Sequence, residues 1–355
     1  MRTLAPESRM IPEKSLSPSQ LAVARHRLYG LFARLFRHGP TPELARLVAS
    51  LPGLAEHLPD PYDEDESAAE HFRLLGREIP PHESLFLDAD GLLGGPVAER
   101  VLADYRRCGF RPDPNASGAD AISEELGLLA FLSGAEADAW EDGKAGVAQR
   151  MADLQGEFLA EHLLAWLHPF ALAVQAEESP FYAALAGLLV EMVAEQATAI
   201  HPAGRGQPPV ALPEAPDLLN DEAAGLREIA AYLTAPPLSG IYLSRGAIGR
   251  VGRAHRLPRG FGTKAQMLET LLRGAAQYEQ LPSVAESLHG VFDAWHARYA
   301  AAMDEHPHLQ AYIHPWQVQT GPARQLLIRL ATAGSQRFEA EQSDQPLPNQ
   351  PLGKA

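Results

Sequence analysis

The sequence predicts an all-α protein, and three features support that prediction. Apolar residues recur every three or four positions along most of the chain, which is the spacing of one buried helix face. No segment alternates apolar and polar residues long enough to form a strand. Helix-capping patterns recur at several expected helix starts. With 355 residues, 46% of them hydrophobic, the chain is long enough for two domains with cores of their own.

The first helix is predicted by its cap. Ser17-Pro18-Ser19-Gln20 combines an N-cap serine, a proline at the first helical position and a glutamine that completes a capping box. Gly39-Pro40 ends this helix, and Thr41-Pro42 begins a shorter one in the same way. The acidic run 63–66 is expected at the start of a third helix, where carboxylates oppose the positive end of the helix dipole.

The segment that follows begins with a double proline. Pro80-Pro81 predicts an extended, non-helical segment that includes Glu83, because each proline disfavours helical geometry in the residue before it. Further helices are predicted from Pro96 to Gly109, over residues 120–142, over residues 146–167 and from Pro180 onward. Residues 17–200 are therefore expected to form a bundle of six or seven helices.

After Ile200 the composition changes, which predicts a domain boundary. Residues 201–219 are rich in proline and glycine and indicate a linker. Residues 220–333 are expected to form a second, smaller helical domain of unknown role. Its helices are predicted to begin near Asn220, Ser244, Thr263, Pro282 and Gly321-Pro322. Residues 1–16 are expected to be a mobile tail and residues 334–355 a disordered tail.

Composition limits the classes of function. The single cysteine, Cys108, excludes an internal disulfide and a cysteine-ligated cluster. We expect a cytoplasmic protein, because the chain shows neither a signal-peptide core nor an apolar run of membrane-spanning length. The formal charge is −15, and the acidic excess lies within residues 1–200. Such a surface attracts basic peptides and repels nucleic-acid phosphates.

Motifs for catalysis or cofactor binding are missing from the sequence. It contains no phosphate-binding loop ending in Lys-Ser or Lys-Thr, and no Gly-x-Ser-x-Gly elbow. The run 304–308, with His306, His308 and the nearby His314, is a weak metal-ligand pattern, and a polar loop is the preferred interpretation. We therefore predict no catalytic residue, no metal and no cofactor.

An ordered set of residues carries a family resemblance. Glu83 follows Pro80-Pro81-His82 and leads into an apolar run, and Asp120 precedes Glu125-Leu126 at a fixed spacing. This order resembles the TorD/DmsD-like family of chaperones that mature exported redox enzymes, over about residues 20–198. One departure is Ala121, which stands where the family has a histidine.

The resemblance implies a TorD-like helical domain without enzyme activity. It also implies binding of a twin-arginine signal peptide, or of the apo-form of an oxidoreductase subunit, often one that contains molybdenum. Such a receptor needs carboxylates beside an apolar groove. The candidate peptide-binding residues are Glu83, Phe86, Tyr105, Asp120, Glu125, Leu126 and Trp166. A monomer or a dimer is expected, without DNA.

Several alternatives stay open. Asp120 is expected to cap a helix, Glu125 could pair with an arginine of the first helix, and Tyr105 and Trp166 could be core residues. Glu83 is the strongest candidate, since folding explains it least. Two other functions remain possible: a DNA-binding regulator that uses the basic segment 244–273, and an enzyme without a recognisable motif.

Overall fold

The computed structural model describes residues 16–198, 210–221, 223–258 and 260–343, with side chains as far as residue 332. The all-α prediction is confirmed: these residues form helices, and no strand occurs among them. A single isolated bridge pairs His82 with Ala121. Residues 1–15 and 344–355 of the predicted tails, and residues 201–209 of the predicted linker, lie outside the described residues.

The N-terminal part, residues 16–198, is built around a pair of long helices. Its helices are α1 (Pro18–His38), α2 (Pro42–Val48), α3 (Pro52–Ala55), α4 (Glu64–His71), α5 (Glu83–Leu87), α6 (Gly95–Cys108), α7 (Ile122–Glu141), α8 (Ala145–Phe158), α9 (Leu164–Gln175) and α10 (Pro180–Ala197). The apolar face of α1 packs along α7, and α8, α9 and α10 complete the core. The capping box of Ser17 and Gln20 is formed as predicted.

One predicted helix end in this part is wrong. The helix expected to stop at residue 167 passes through a π-helical turn, Leu159–Leu163, and continues as α9 through Pro169. A proline inside a helix leaves the carbonyl four residues earlier without its usual donor. Here that carbonyl, on Ala165, accepts a hydrogen bond from the indole Nε1 of Trp316 at 2.9 Å. A residue far along the chain therefore supplies what Pro169 cannot.

The C-terminal part, residues 210–343, is helical as well. Its helices are α11 (Leu226–Leu233), α12 (Pro236–Ser239), α13 (Arg245–Ala254), α14 (Lys264–Gln277), α15 (Leu281–Glu305) and α16 (Gln310–Ser343). The caps predicted at Ser244 and Thr263 are formed.

Two predicted helix starts in the C-terminal part are wrong. Helix α11 begins at Leu226, because the Glu228 side chain caps the backbone N–H of Gly225 rather than a turn near Asn220. Helix α16 begins at Gln310 and contains Pro322, where a start was expected. Extensive packing of α16 along α15 compensates for the hydrogen bonds that its prolines cannot make.

The two parts contact each other through a shared core. The ring of Tyr242 stacks on Phe86 at a centroid distance of 5.3 Å, and its hydroxyl donates to the carbonyl of Glu78. The division into two domains remains a prediction about the chain. Among the described residues, however, buried apolar side chains of both parts form one continuous cluster.

The basic segment takes part in the contact between the two parts. Arg245 donates to the backbone carbonyl of Arg77, and the backbone N–H of Gly246 donates to Glu78. Arg250 pairs with Glu177. The start of this segment therefore lies against the N-terminal part, in contact with two of its carboxylates.

Substitution of Gly240 tests how closely the C-terminal end of α12 packs against α16. Its φ is +80°, and an added Cβ would lie 2.7 Å from the backbone nitrogen of Thr320. We expect Gly240→Ala to lower the free energy of unfolding by about 3 kcal/mol, through the positive φ and the backbone clash together. The measurement is urea unfolding of the full chain.

Gly91→Ala is the matched control, because Gly91 also has a positive φ, +63°, but has no atom near the added Cβ. It should cost only about 1 kcal/mol. Equal losses for the two variants would show that α12 and α16 are not closely packed.

Candidate functional site

The region predicted to bind a peptide is built on a short antiparallel contact between two segments. The N–H of Ile122 donates to the carbonyl of Pro81, and the N–H of Glu83 donates to the carbonyl of Asp120, each at 2.9 Å. The Asp120 carboxylate also accepts from the N–H of Ser84 at 3.0 Å. These bonds hold the start of α5 against the start of α7.

This arrangement corrects two expectations. Glu83 is not in a non-helical segment but is the first residue of α5. Asp120 does cap a helix, but the helix is α5 and not the one that follows it in sequence, since α7 has no side-chain cap. Sequence reasoning could not find a cap supplied by a distant segment.

His82 stands opposite Ala121 in the isolated bridge. Its Nδ1 lies 3.6 Å from the carboxylate of Asp120. Burial works to raise the pKa of Asp120, but the nearby His82 ring and the hydrogen bonds from Ser84 outweigh it and hold that pKa below its usual value. An imidazole thus lies next to Asp120, but it comes from position 82 and not from position 121, where the resemblance expects a histidine.

Glu83 forms part of an ion triad in which Glu83 and His162 are buried and Asp104 is partly exposed. His162 Nδ1 lies 3.0 Å from Glu83, and its Nε2 lies 2.8 Å from Asp104. Desolvation works to lower the pKa of His162, but hydrogen bonds to Asp104 and Glu83 raise it to about 9. His162 is therefore a buried imidazolium that neutralises Glu83 and joins α5, α6 and the π-helical turn.

Glu125 differs from its acidic neighbours because it has no cation. Desolvation, with the negative charges of Glu83 and Asp120, raises its pKa well above the usual value. Its carboxyl accepts a hydrogen bond from the indole of Trp166. The residue that pairs with an arginine of α1 is instead Glu124, which contacts Arg37. Burial and these neighbouring charges therefore favour the neutral form of Glu125.

All seven predicted binding residues lie in the interior. None of them is more than 1% exposed. Phe86 packs on Trp166, and the Tyr105 hydroxyl donates to the carbonyl of Ala119. The structure brings the set together around the start of α5, as one buried cluster that we call the acidic cluster. Its peptide-binding role remains a prediction. These buried side chains pack in the interior and stabilise the fold.

An apolar groove lies elsewhere on the molecule, with a volume of about 640 Å³. Its walls come from α1, the α2–α3 turn, α10 and the turn after α15. The apolar lining residues are Leu28, Phe32, Leu51, Pro52, Gly53, Leu188, Met192 and Ala194. The groove combines segments that are distant in sequence, which is why the sequence alone did not predict it.

Two carboxylates, Glu191 and Glu195, line the groove beside its apolar residues. They lie one helical turn apart on α10, next to Leu188 and Met192, which are also one turn apart. These two parallel rows, one acidic and one apolar, are the sequence pattern from which this wall of the groove could have been predicted. The groove therefore joins apolar surface with exposed negative charge, the combination expected of the receptor.

Two groups of side chains among the described residues have ligand atoms close enough to hold a metal ion. One contains Asp104, Glu161 and His162, but both ring nitrogens of His162 already contact carboxylates. The other contains Glu191, Glu305 and His306, and of these Glu191 and His306 line the groove. Only the second has a histidine whose ring is not held between two acids.

Comparison with known proteins supports the resemblance. Residues 25–172 match the family described as nitrate reductase delta subunit, a family of redox-enzyme maturation chaperones. The resemblance predicted from the sequence is thus confirmed for this stretch, and the C-terminal part lies outside the match, as expected. No curated protein and no solved structure matches the chain. No helix among the described residues is long and apolar enough to cross a membrane.

The charge on His162 predicts a pH-dependent contribution to stability. Its pKa in the folded protein, about 9, is above the ordinary value of 6.5. Its contribution is therefore complete below pH 6.5 and is lost as the pH rises through about 9. We expect the loss of unfolding free energy caused by His162→Gln to shrink by about 1 to 3 kcal/mol between pH 6.5 and 9.

Urea unfolding of both proteins across this pH range measures the effect. Lys264 adds a pH dependence of the opposite sign, because burial lowers its pKa to about 7. This contribution is the same in both proteins and cancels when their unfolding free energies are subtracted. His57→Gln, at a half-buried surface position, is the control and should show no such trend. A difference between wild type and His162→Gln that stays constant with pH would mean that His162 is not charged in the folded protein.

Proposed function

We propose that this protein is a maturation chaperone that binds the twin-arginine signal peptide of a redox-enzyme subunit in the apolar groove. The premise is the match of residues 25–172 to a chaperone family of this kind. The client is expected to be an oxidoreductase subunit, often one that contains molybdenum, held in its apo-form until cofactor insertion. The chaperone itself performs no catalysis in this proposal.

One observation carries the proposal: the groove has the chemistry of the ligand. A twin-arginine leader has two guanidinium groups followed by an apolar segment. Leu188 and Met192 offer apolar surface to the segment, and Glu191 and Glu195 offer carboxylates to the arginines. The adjacent stripes on α10 present both features in parallel, which suits a peptide that lies along the helix.

The groove fits this role better than the acidic cluster does. The acidic side chains of the cluster are enclosed: Glu83 is paired with His162, Asp120 is bonded to the start of α5, and burial favours the neutral form of Glu125. An incoming arginine would have to displace these partners from the interior. Unpairing a buried charge costs about 3 to 5 kcal/mol, which a surface groove avoids.

The C-terminal part has a place in this proposal. His306 and His308, from the turn between α15 and α16, line the same groove as residues of α1 and α10. His308 also contacts the carbonyl of Ala194. The C-terminal part therefore completes the receptor that the N-terminal part begins. The contacts of Arg245 and Arg250 with the N-terminal part favour this arrangement over a DNA-reading helix.

The test is calorimetric titration of the full chain with a synthetic leader that has two arginines and an apolar segment. We expect micromolar or tighter binding. Met192→Glu should weaken binding at least about tenfold, because it places a charge on the apolar wall. Glu195→Gln should weaken it about threefold and lessen its salt dependence.

Two substitutions outside the groove serve as matched controls. Val147→Glu places a charge at another exposed apolar position, and Glu99→Gln removes another exposed acid. Neither should change the affinity. Absence of binding, or equal weakening by Met192→Glu and Val147→Glu, would rule out the groove as the receptor.

A further inference from the structure

We infer that Glu191, Glu305 and His306 form a binding site for a divalent transition-metal ion of the zinc class. The three residues come from α10 and from the end of α15, so the ion would link the N-terminal and C-terminal parts. Such a site goes beyond the proposed chaperone function and does not depend on it. It also revises the interpretation of residues 304–308 as a polar loop.

The geometry of the three side chains supports the site. One ligand atom from each residue lies within 4.8 Å of the other two. The Nε2 of His306 is 3.4 Å from a carboxylate oxygen of Glu191. Small adjustments of two exposed glutamates would bring these atoms to the distances of about 2.0 to 2.2 Å that zinc requires.

A second, independent observation comes from His168 on α9. It is only 4% exposed, and neither ring nitrogen has a hydrogen-bond partner among the described residues. Its ring packs against that of His306, with centroids 6.3 Å apart. Buried imidazole nitrogens normally bond to a partner, water or a metal. His168 therefore places a second imidazole, without a hydrogen bond among the described residues, next to His306.

The donor set indicates the class of ion. One imidazole nitrogen with two carboxylate oxygens suits zinc and similar transition metals, whereas magnesium and calcium prefer oxygen donors alone. Three protein ligands leave a fourth position of a tetrahedral ion open to water or to another side chain. Because carboxylates and imidazole bind metal only when deprotonated, the affinity should fall as the medium becomes acidic.

The position of the site gives the ion two effects. It would tie the start of the turn that follows α15 to α10, at the contact between the two parts. It would also neutralise Glu191 in the wall of the apolar groove. The ion would therefore stabilise the assembled groove and change its charge. Metal binding can be measured without any peptide, so its outcome is separate from that of the chaperone proposal.

The test uses the full chain without an affinity tag, stripped with a chelator and titrated with zinc chloride by calorimetry. We expect about one ion per chain and a rise in Tm when zinc is added. Glu191→Gln and Glu305→Gln should each weaken binding about tenfold or more. Both residues are exposed, so these variants should fold. His306→Gln should remove the binding and the rise in Tm.

Asp304→Asn and His314→Gln are the matched controls, because both residues are exposed neighbours outside the group. They should bind zinc like the wild type, and a large excess of magnesium should not compete. Absence of zinc binding would overturn the inference. Binding unchanged in Glu191→Gln and Glu305→Gln would overturn it as well, because it would show an adventitious ion only.

Discussion

The ion pairs of the buried His162 with Glu83 and Asp104 are the interactions on which the rest of the N-terminal part depends. Removing an imidazolium and two carboxylates from water is costly, and only close mutual pairing offsets that cost. Glu83 and Asp104 provide it from both sides of the ring. This pairing fixes α5 against α6, and Asp120 fixes it against the start of α7. The acidic residues that carry the family resemblance, Glu83 and Asp120, therefore have a structural role that does not require a bound peptide.

Hydrogen bonds to buried backbone carbonyls also explain how the C-terminal part is joined to the N-terminal part. Pro169 leaves the Ala165 carbonyl without a helical donor, and Trp316 provides one from α16. Tyr242 closes the aromatic cluster around Phe86 and donates to the Glu78 carbonyl. The family match ends at residue 172, yet the apolar core continues into the C-terminal part. The groove, with walls from both parts, follows from this joining.

Local signals in the sequence predicted the helices well, because caps such as Ser17 and Thr263 act within one turn. Local signals failed where residues distant in sequence determine whether a segment is helical. Glu83 is helical because Asp120 caps α5, and α9 passes Pro169 because Trp316 compensates. The sequence identified the acidic cluster as one group of residues, but periodicity cannot distinguish a buried carboxylate from an exposed one. The groove was missed because α1, α10 and His306 meet only in the folded chain.

The central claim is that the acidic cluster holds the fold and the apolar groove receives the client peptide. Hydrogen exchange of the full chain, with and without a twin-arginine leader, tests it most directly. We predict that the leader slows exchange in residues 188–197 of α10 and in the groove face of α1, while exchange in residues 81–86 and 120–126 stays unchanged. Protection confined to residues 81–86 and 120–126 would contradict the account and return recognition to the acidic cluster.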